Sequence, residues 1–119
     1  VVTKAKGSVK TPSESDIEMS GESSRSFEDI VKVMRMRVPG LRHIYNKFLK
    51  EKPQLNGTVT LKLLITSSGE VERIAVVSST TGADDFDGEI KIALSRWKFA
   101  KVKSGSTTVV IPFTFSQEK

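Results

Sequence analysis

The sequence predicts an α+β domain with the element order αα-ββαβ: a three-stranded antiparallel sheet with its helices packed on one face, preceded by a disordered linker. Two observations carry this. The apolar period is helical between Phe27 and Leu49, becomes alternating at Gly57, turns helical again at Phe86 and ends as alternation up to Phe115. The 25 residues before that pattern are rich in Ser, Lys, Glu and Gly, and Ile17 and Met19 are their only large apolar residues after Val9. Such a stretch buries too little apolar area to offset its ordering entropy. The expected division is therefore a flexible linker over 1–25 and a folded module over 26–119.

Each element has a local reason. Ser26-Phe27-Glu28-Asp29 resembles a capping box, with Asp in place of Glu or Gln. Phe27, Ile30, Val31 and Met34 follow at helical spacing, and Leu41, Ile44, Tyr45, Phe48 and Leu49 repeat the stripe beyond Pro39. The reading is two helices, or one bent at Val38-Pro39-Gly40, with Pro53 as the stop. Val59, Leu61, Leu63 and Ile65 alternate with Thr58, Thr60, Lys62 and Leu64 as a half-buried strand, Ser67-Ser68-Gly69-Glu70 turns, and Val71 to Ser79 returns. Asp84, Asp85, Asp87 and Glu89 crowd the start of a helix, where acids suit the dipole. Its apolar stripe is Phe86, Ile90, Ala93, Leu94 and Trp97. Val109, Ile111, Phe113 and Phe115 alternate as the last strand. A crossover that skips one strand sets this strand beside the first, antiparallel to it. Pro112 has no N–H to give a ladder, so the last strand is expected at the sheet edge, where unpaired backbone groups invite another chain.

Composition removes several function classes. Hydrophobic residues make up 37% of the 119, and there is no cysteine, which excludes disulfides, thiolate metal sites and cysteine nucleophiles. The longest aliphatic run is Ile74-Ala75-Val76-Val77, far short of the roughly 20 residues a membrane helix needs. His43 is the sole histidine and lies on a basic helix, where a surface or capping role fits it. No Gly-rich phosphate loop is present. Asp84-Asp85-Phe86-Asp87-Gly88-Glu89 fails as a calcium loop: counted from Asp85, the position that needs Gly holds Ile90 and the one that needs Glu holds Arg96. No catalytic set, cofactor or metal site is expected.

The net charge is +5, and all of the excess lies beyond residue 26. Lys32 to Lys52 carries seven bases and one acid. Lys32, Arg35, Arg37, Arg42, Lys47 and Lys50 thus form an alternative site, a basic surface for nucleic acid or an anionic membrane, against the plainer reading of a solvated helix face. Base stacking would need exposed aromatics. Phe27, Tyr45, Phe48, Phe86, Trp97, Phe113 and Phe115 all fall on apolar stripes instead, and only Phe99 has no assigned place.

Leu55-Asn56-Gly57-Thr58-Val59, Ser68-Gly69-Glu70-Val71, Val77-Ser78-Ser79, Arg96-Trp97-Lys98-Phe99 and Ile111-Pro112-Phe113-Thr114-Phe115 occur in an order and spacing that resembles the C-terminal domain of the TonB family of energy transducers. The resemblance spans about residues 30–116. Leu41-Arg42, Tyr45 and Leu49 ahead of Pro53 and Gly57 look closer to the AgmX/PglI-type subgroup linked to gliding motility, which commonly carries cysteines that this chain lacks. The resemblance implies a periplasmic, non-catalytic module tethered to the inner membrane by an N-terminal helix, coupled there to a proton-driven motor complex, and gripping an outer-membrane protein through an extended peptide. The chain opens Val1-Val2-Thr3 rather than with Met, so it reads as a fragment, with an anchor expected upstream.

The primary site expectation is β-strand addition along Thr107, Thr108, Val109, Val110, Ile111, Pro112, Phe113, Thr114 and Phe115. The basic surface is the second reading. A homodimer formed by pairing of two last strands across a two-fold axis, as an envelope adaptor, is the third.

Overall fold

A computed structural model describes residues 6–10, 17–21 and 25–118. Its elements, in chain order, are β1 (Lys6–Lys10), β2 (Glu18–Ser20), α1 (Phe27–Leu49), β3 (Gly57–Ile65), β4 (Val71–Ser79), α2 (Asp84–Ser95) and β5 (Thr107–Glu118). The sheet runs β1-β5-β3-β4, and β2 also pairs with β5. All its pairings are antiparallel.

The expected α+β class holds, and β3, β4 and β5 are the three strands read from the sequence. β5 lies beside β3, Gly57 opposite Phe115 through Ile65 opposite Thr107, as the skipped-strand crossover requires. The β3–β4 hairpin closes through Thr66 N–H to Glu70 O (2.9 Å) and Gly69 N–H to Thr66 O (3.0 Å).

Three expectations are corrected. The first is the helix pair of the element order: of the two readings left open, the one-helix reading holds, as 23 residues running through Pro39. Proline removes the hydrogen bond to the carbonyl four residues earlier. Here Arg35 and Pro39 are both exposed, so that carbonyl faces water, while the buried stripe Met34, Val38, Leu41, Tyr45 and Leu49 continues past the proline on the other side. The predicted Ser26 cap is present and accepts from Asp29 N–H at 3.3 Å.

The second correction concerns the sheet, which has five strands because the segment ahead of Ser26 supplies two. The linker expectation for 1–25 falls in part on residues outside the described ones. Where the chain is described it is docked: Lys6–Lys10 and Glu18–Ser20 pair with β5, and Ile17 and Arg25 are buried. The third correction follows from the second. β5 is an interior strand rather than an edge. Lys6 to Lys10 stand opposite Glu118 to Thr114, and Glu18 to Ser20 opposite Val110 to Thr108. Among the described residues, the pairs on this side of β5 lie at Thr108 to Val110 and at Thr114 to Glu118. Among the described residues, β4 has a partner on one side only.

The core lies between the helices and one sheet face. Val59, Leu61, Leu63, Ile65, Val109, Ile111 and Phe113 are fully buried on the sheet, and Ile30, Met34, Leu41, Tyr45, Phe86, Ile90 and Leu94 meet them from the helices. Tyr45, Phe86 and Phe115 pack ring to ring, with centroids 4.9–5.7 Å apart and tilted or edge-on.

Candidate functional site

β5 is the longest strand and brings the nine expected residues into one continuous run. Its two faces differ sharply. Thr107, Val109, Ile111, Phe113 and Phe115 are buried toward the helices, whereas Thr108, Val110, Pro112 and Thr114 are half-buried on the face that the helices leave uncovered. The inward residues are held from several sides. Phe113 meets Trp97 edge-on at 6.0 Å, and Phe115 meets Tyr45 and Phe86. Outward, the Thr58 and Thr114 hydroxyls are 3.2 Å apart. β5 is therefore rigidly mounted on its β3 side, and what remains for recognition is its outer backbone edge and its uncovered face. That edge carries β1 and β2.

The strands on the edge are lightly held. Ile17 is buried, and Val9 and Met19 are only partly buried against the core. Their register places Met19 opposite Val109 and Val9 opposite Phe115, on the helix side of the sheet. Gly21 has φ +106°, and a Cβ there would stand 2.5 Å from the Ser106 carbonyl oxygen. Glycine is what lets the chain leave β5 at this point.

Beyond Gly21 the chain meets a much firmer attachment that sequence reasoning missed. The Arg25 side chain is fully buried: its guanidinium bonds Asp29 at 2.5 Å, the Ala100 carbonyl at 2.7 Å and the Thr66 carbonyl at 3.0 Å, and lies 5.6 Å from the Phe99 ring centroid. One side chain thereby ties the start of α1 to the β3–β4 turn and to the connection before β5. Phe99, which had no place on any apolar stripe, packs beside Trp97 with Lys98 pointing outward between them, and its N–H donates to Gly69 O at 2.8 Å. The sequence signal was an unassigned aromatic and a lone arginine, 74 positions apart.

At the other end of the module, the buried Tyr45 hydroxyl donates to the Leu55 carbonyl at 2.5 Å, and burial raises its pKa above the usual 10.0. Lys52 donates to Asp85 at 2.7 Å, and that hydrogen bond leads the causes that hold the Asp85 carboxyl below its usual 3.8. Both contacts fasten the end of α1 to the entries of β3 and α2.

The six basic residues of the alternative site are all exposed, five on α1 and Lys50 at its C-cap. A helix turns about 100° per residue. On that measure Lys32 and Lys50 share a line, Arg35 and Arg42 stand to one side, and Arg37 is displaced far to the other. With Lys47, five of the six bases fall within about 140° of arc, and Arg37 lies outside it. Among the described residues no cluster of three or more His, Cys, Asp or Glu could hold a metal, and no helix is long and apolar enough to cross a membrane.

Residues 50–116 match the family described as Gram-negative bacterial TonB protein C-terminal. Protein TonB of Salmonella typhimurium is 35% identical over 57 residues, which is 48% of this chain and 23% of that protein. The chain thus spans about a quarter of the length of that curated relative. The solution structure of the Pseudomonas aeruginosa TonB C-terminal domain aligns with a TM-score of 0.46 at 23% identity, covering 93% of this chain and 96% of that one. The family match begins at residue 50, so α1 and the strands before it lie upstream of the matched residues.

Proposed function

The chain belongs to the Gram-negative bacterial TonB protein C-terminal family, and on that premise we propose that it is the periplasmic, non-catalytic coupling module of a TonB-like energy transducer. It takes an extended segment of an outer-membrane or other envelope protein along β5, Thr107 to Phe115. The parent protein is tethered to the inner membrane, where a proton-driven motor complex loads it, and the module passes that load to the bound partner. Backbone hydrogen bonds supply most of the affinity and the uncovered face supplies selectivity.

The observation that carries this reading is the mounting of β5. Its inner face is locked by Trp97, Tyr45 and Phe86, and it is paired with β3 over nine consecutive residues. A strand so held passes a pull into the whole module. Four to six hydrogen bonds at about 0.5–1.5 kcal/mol each give a grip of several kcal/mol, less the ordering of the peptide. Such a grip holds under load and still releases. The finer likeness to the gliding-motility subgroup rests on Leu41, Arg42, Tyr45 and Leu49. Leu41, Tyr45 and Leu49 are buried in the core, so packing accounts for them without a motility role.

The test is a titration of peptides from the periplasmic segments of envelope proteins into isotope-labelled chain. Amide shifts should begin at Val109 to Phe115. Shifts confined to Lys32 through Lys50, with binding that collapses steeply as salt rises, would replace this reading with the anionic-surface one.

A further inference from the structure

The outer edge of β5 is occupied by the chain's own upstream segment. We propose that residues 6–10 and 17–21 are a displaceable strap: an internal stand-in for the partner strand, which must peel away before β5 accepts anything else. In naming an envelope peptide as what displaces it, this rests on the coupling role above.

Four observations support the strap. It takes the same backbone groups that an added strand would use, from Thr108 to Val110 and from Thr114 to Glu118. Its described pairing comprises five and three register pairs. Its side chains add little, with Ile17 buried and Val9 and Met19 only partly so. Finally, it is bounded by a fixed point. Past the Gly21 turn, Arg25 is locked among Asp29, Thr66, Ala100 and Phe99, so an opened strap swings from there without loosening α1.

The geometry also sets the direction of opening. Lys6 stands opposite Glu118, and Ser20 opposite Thr108. Tension on the chain ahead of Lys6 loads the β1 end first and uncovers β5 from Glu118 toward Thr108. Tension thus makes the seat available, and an unloaded module keeps it closed. A binding site free only a fraction of the time loses apparent affinity by that fraction. Opening the strap therefore tightens binding without any new contact.

The experiment uses the whole chain and a synthetic peptide of residues 6–21 as probe. The covalent strap acts at an effective concentration of about millimolar, so the free peptide competes poorly with it. In the native chain the amides of Lys10 and Ser20, which face β5, should exchange at least about 100-fold faster than those of Leu61 and Leu63. Lys10→Pro with Glu18→Pro, which removes two donors opposite Thr114 and Val110, should let the peptide shift Val109 to Phe115 at a concentration at least about tenfold lower than in the native chain. Ser20→Cys with Thr108→Cys, placed directly opposite in a chain that has no other cysteine, should abolish peptide binding when oxidised and restore native behaviour when reduced. Equal peptide binding by all forms, or strap amides that exchange no faster than the core, overturns the strap.

Failure of the two readings looks different. If an envelope peptide shifts Val109 to Phe115 equally in the native and oxidised forms, the strap is refuted and the coupling role stands. If the 6–21 peptide behaves as expected but no envelope peptide binds the opened chain, the strap stands and the coupling role is refuted.

Discussion

Replacing Arg25 by methionine removes one side chain and detaches three pieces of backbone. The guanidinium serves Asp29, the Thr66 carbonyl and the Ala100 carbonyl, with the Arg25 side chain fully buried and that of Asp29 17% exposed. Truncating one partner of a buried ion pair costs about 3–5 kcal/mol, chiefly because the other partner is left without compensation. Water reaches Asp29 and softens that cost, so the lower end applies, at about 3 kcal/mol. Methionine fills similar volume, which keeps the loss electrostatic rather than a cavity effect. For a domain of this size 1 kcal/mol moves the melting temperature by about 4 °C, so a fall of about 12 °C is expected. Arg25→Lys should recover only part of it, because an ammonium cannot present a planar fork to a carboxylate and two carbonyls together. Thermal and urea unfolding monitored by circular dichroism measure both variants. A loss below about 1 kcal/mol for Arg25→Met would mean that the three contacts are not made in solution, and the fixed point at the base of the strap would go with them.

Two further predictions concern the fastenings at the opposite end. Tyr45 should titrate above 10.0 by absorbance, since burial disfavours the phenolate. A folded value raised above the unfolded one gives stability that is complete below about pH 10 and is lost as pH climbs through the folded value. Tyr45→Phe should remove that alkaline dependence and lower stability by about 1–3 kcal/mol, because the Leu55 carbonyl loses its donor; alkaline unfolding curves identical for the two chains would refute this. Asp85 should titrate below 3.8 by carboxyl carbon shift, and Lys52→Ala should bring it back toward that value. Here the folded value is depressed, so the Lys52–Asp85 contribution is present above about pH 4 and is lost as pH falls through the folded value. A carboxyl unaffected by Lys52→Ala would remove the pair.

What the sequence disclosed and what it hid differ in one physical respect. Elements whose own apolar residues repeat with a period were legible: Val59 to Ile65, Phe86 to Trp97, and Val109 to Phe115 are buried as their spacing implied. Pro39 looked like a break because its cost is local, and seven buried residues on the opposite face of α1 outweigh it. β1 and β2 were illegible for the opposite reason. Ile17-Glu18-Met19-Ser20 does alternate, but over four residues, and Val9 stands alone; their structure comes from a template strand some ninety positions away rather than from any pattern of their own. Pro112 pointed wrongly to an open edge. The run Thr107 to Phe115 was thus legible as a strand, while the segments paired to its outer edge were not.

The same physics that hid the strap sets how firmly it can hold. Ordering its ten described residues costs about 1–2 kcal/mol each, on the order of 10–20 kcal/mol. Against this stand eight register pairs, at about 0.5–1.5 kcal/mol per hydrogen bond. Burial of Ile17 adds about 1.5–3 kcal/mol, and Val9 and Met19 add roughly half as much each. The two sides meet within a few kcal/mol. A segment with an apolar stripe of its own, such as β3 with four fully buried residues, would hold the edge too firmly to be displaced by a peptide whose grip is itself a few kcal/mol. A segment with no apolar residue would leave β5 open to pair with any exposed strand in a crowded compartment. Three apolar side chains in sixteen residues place the strap between these limits. There, a modest pull from upstream or a modestly better strand from a partner decides which chain occupies the edge.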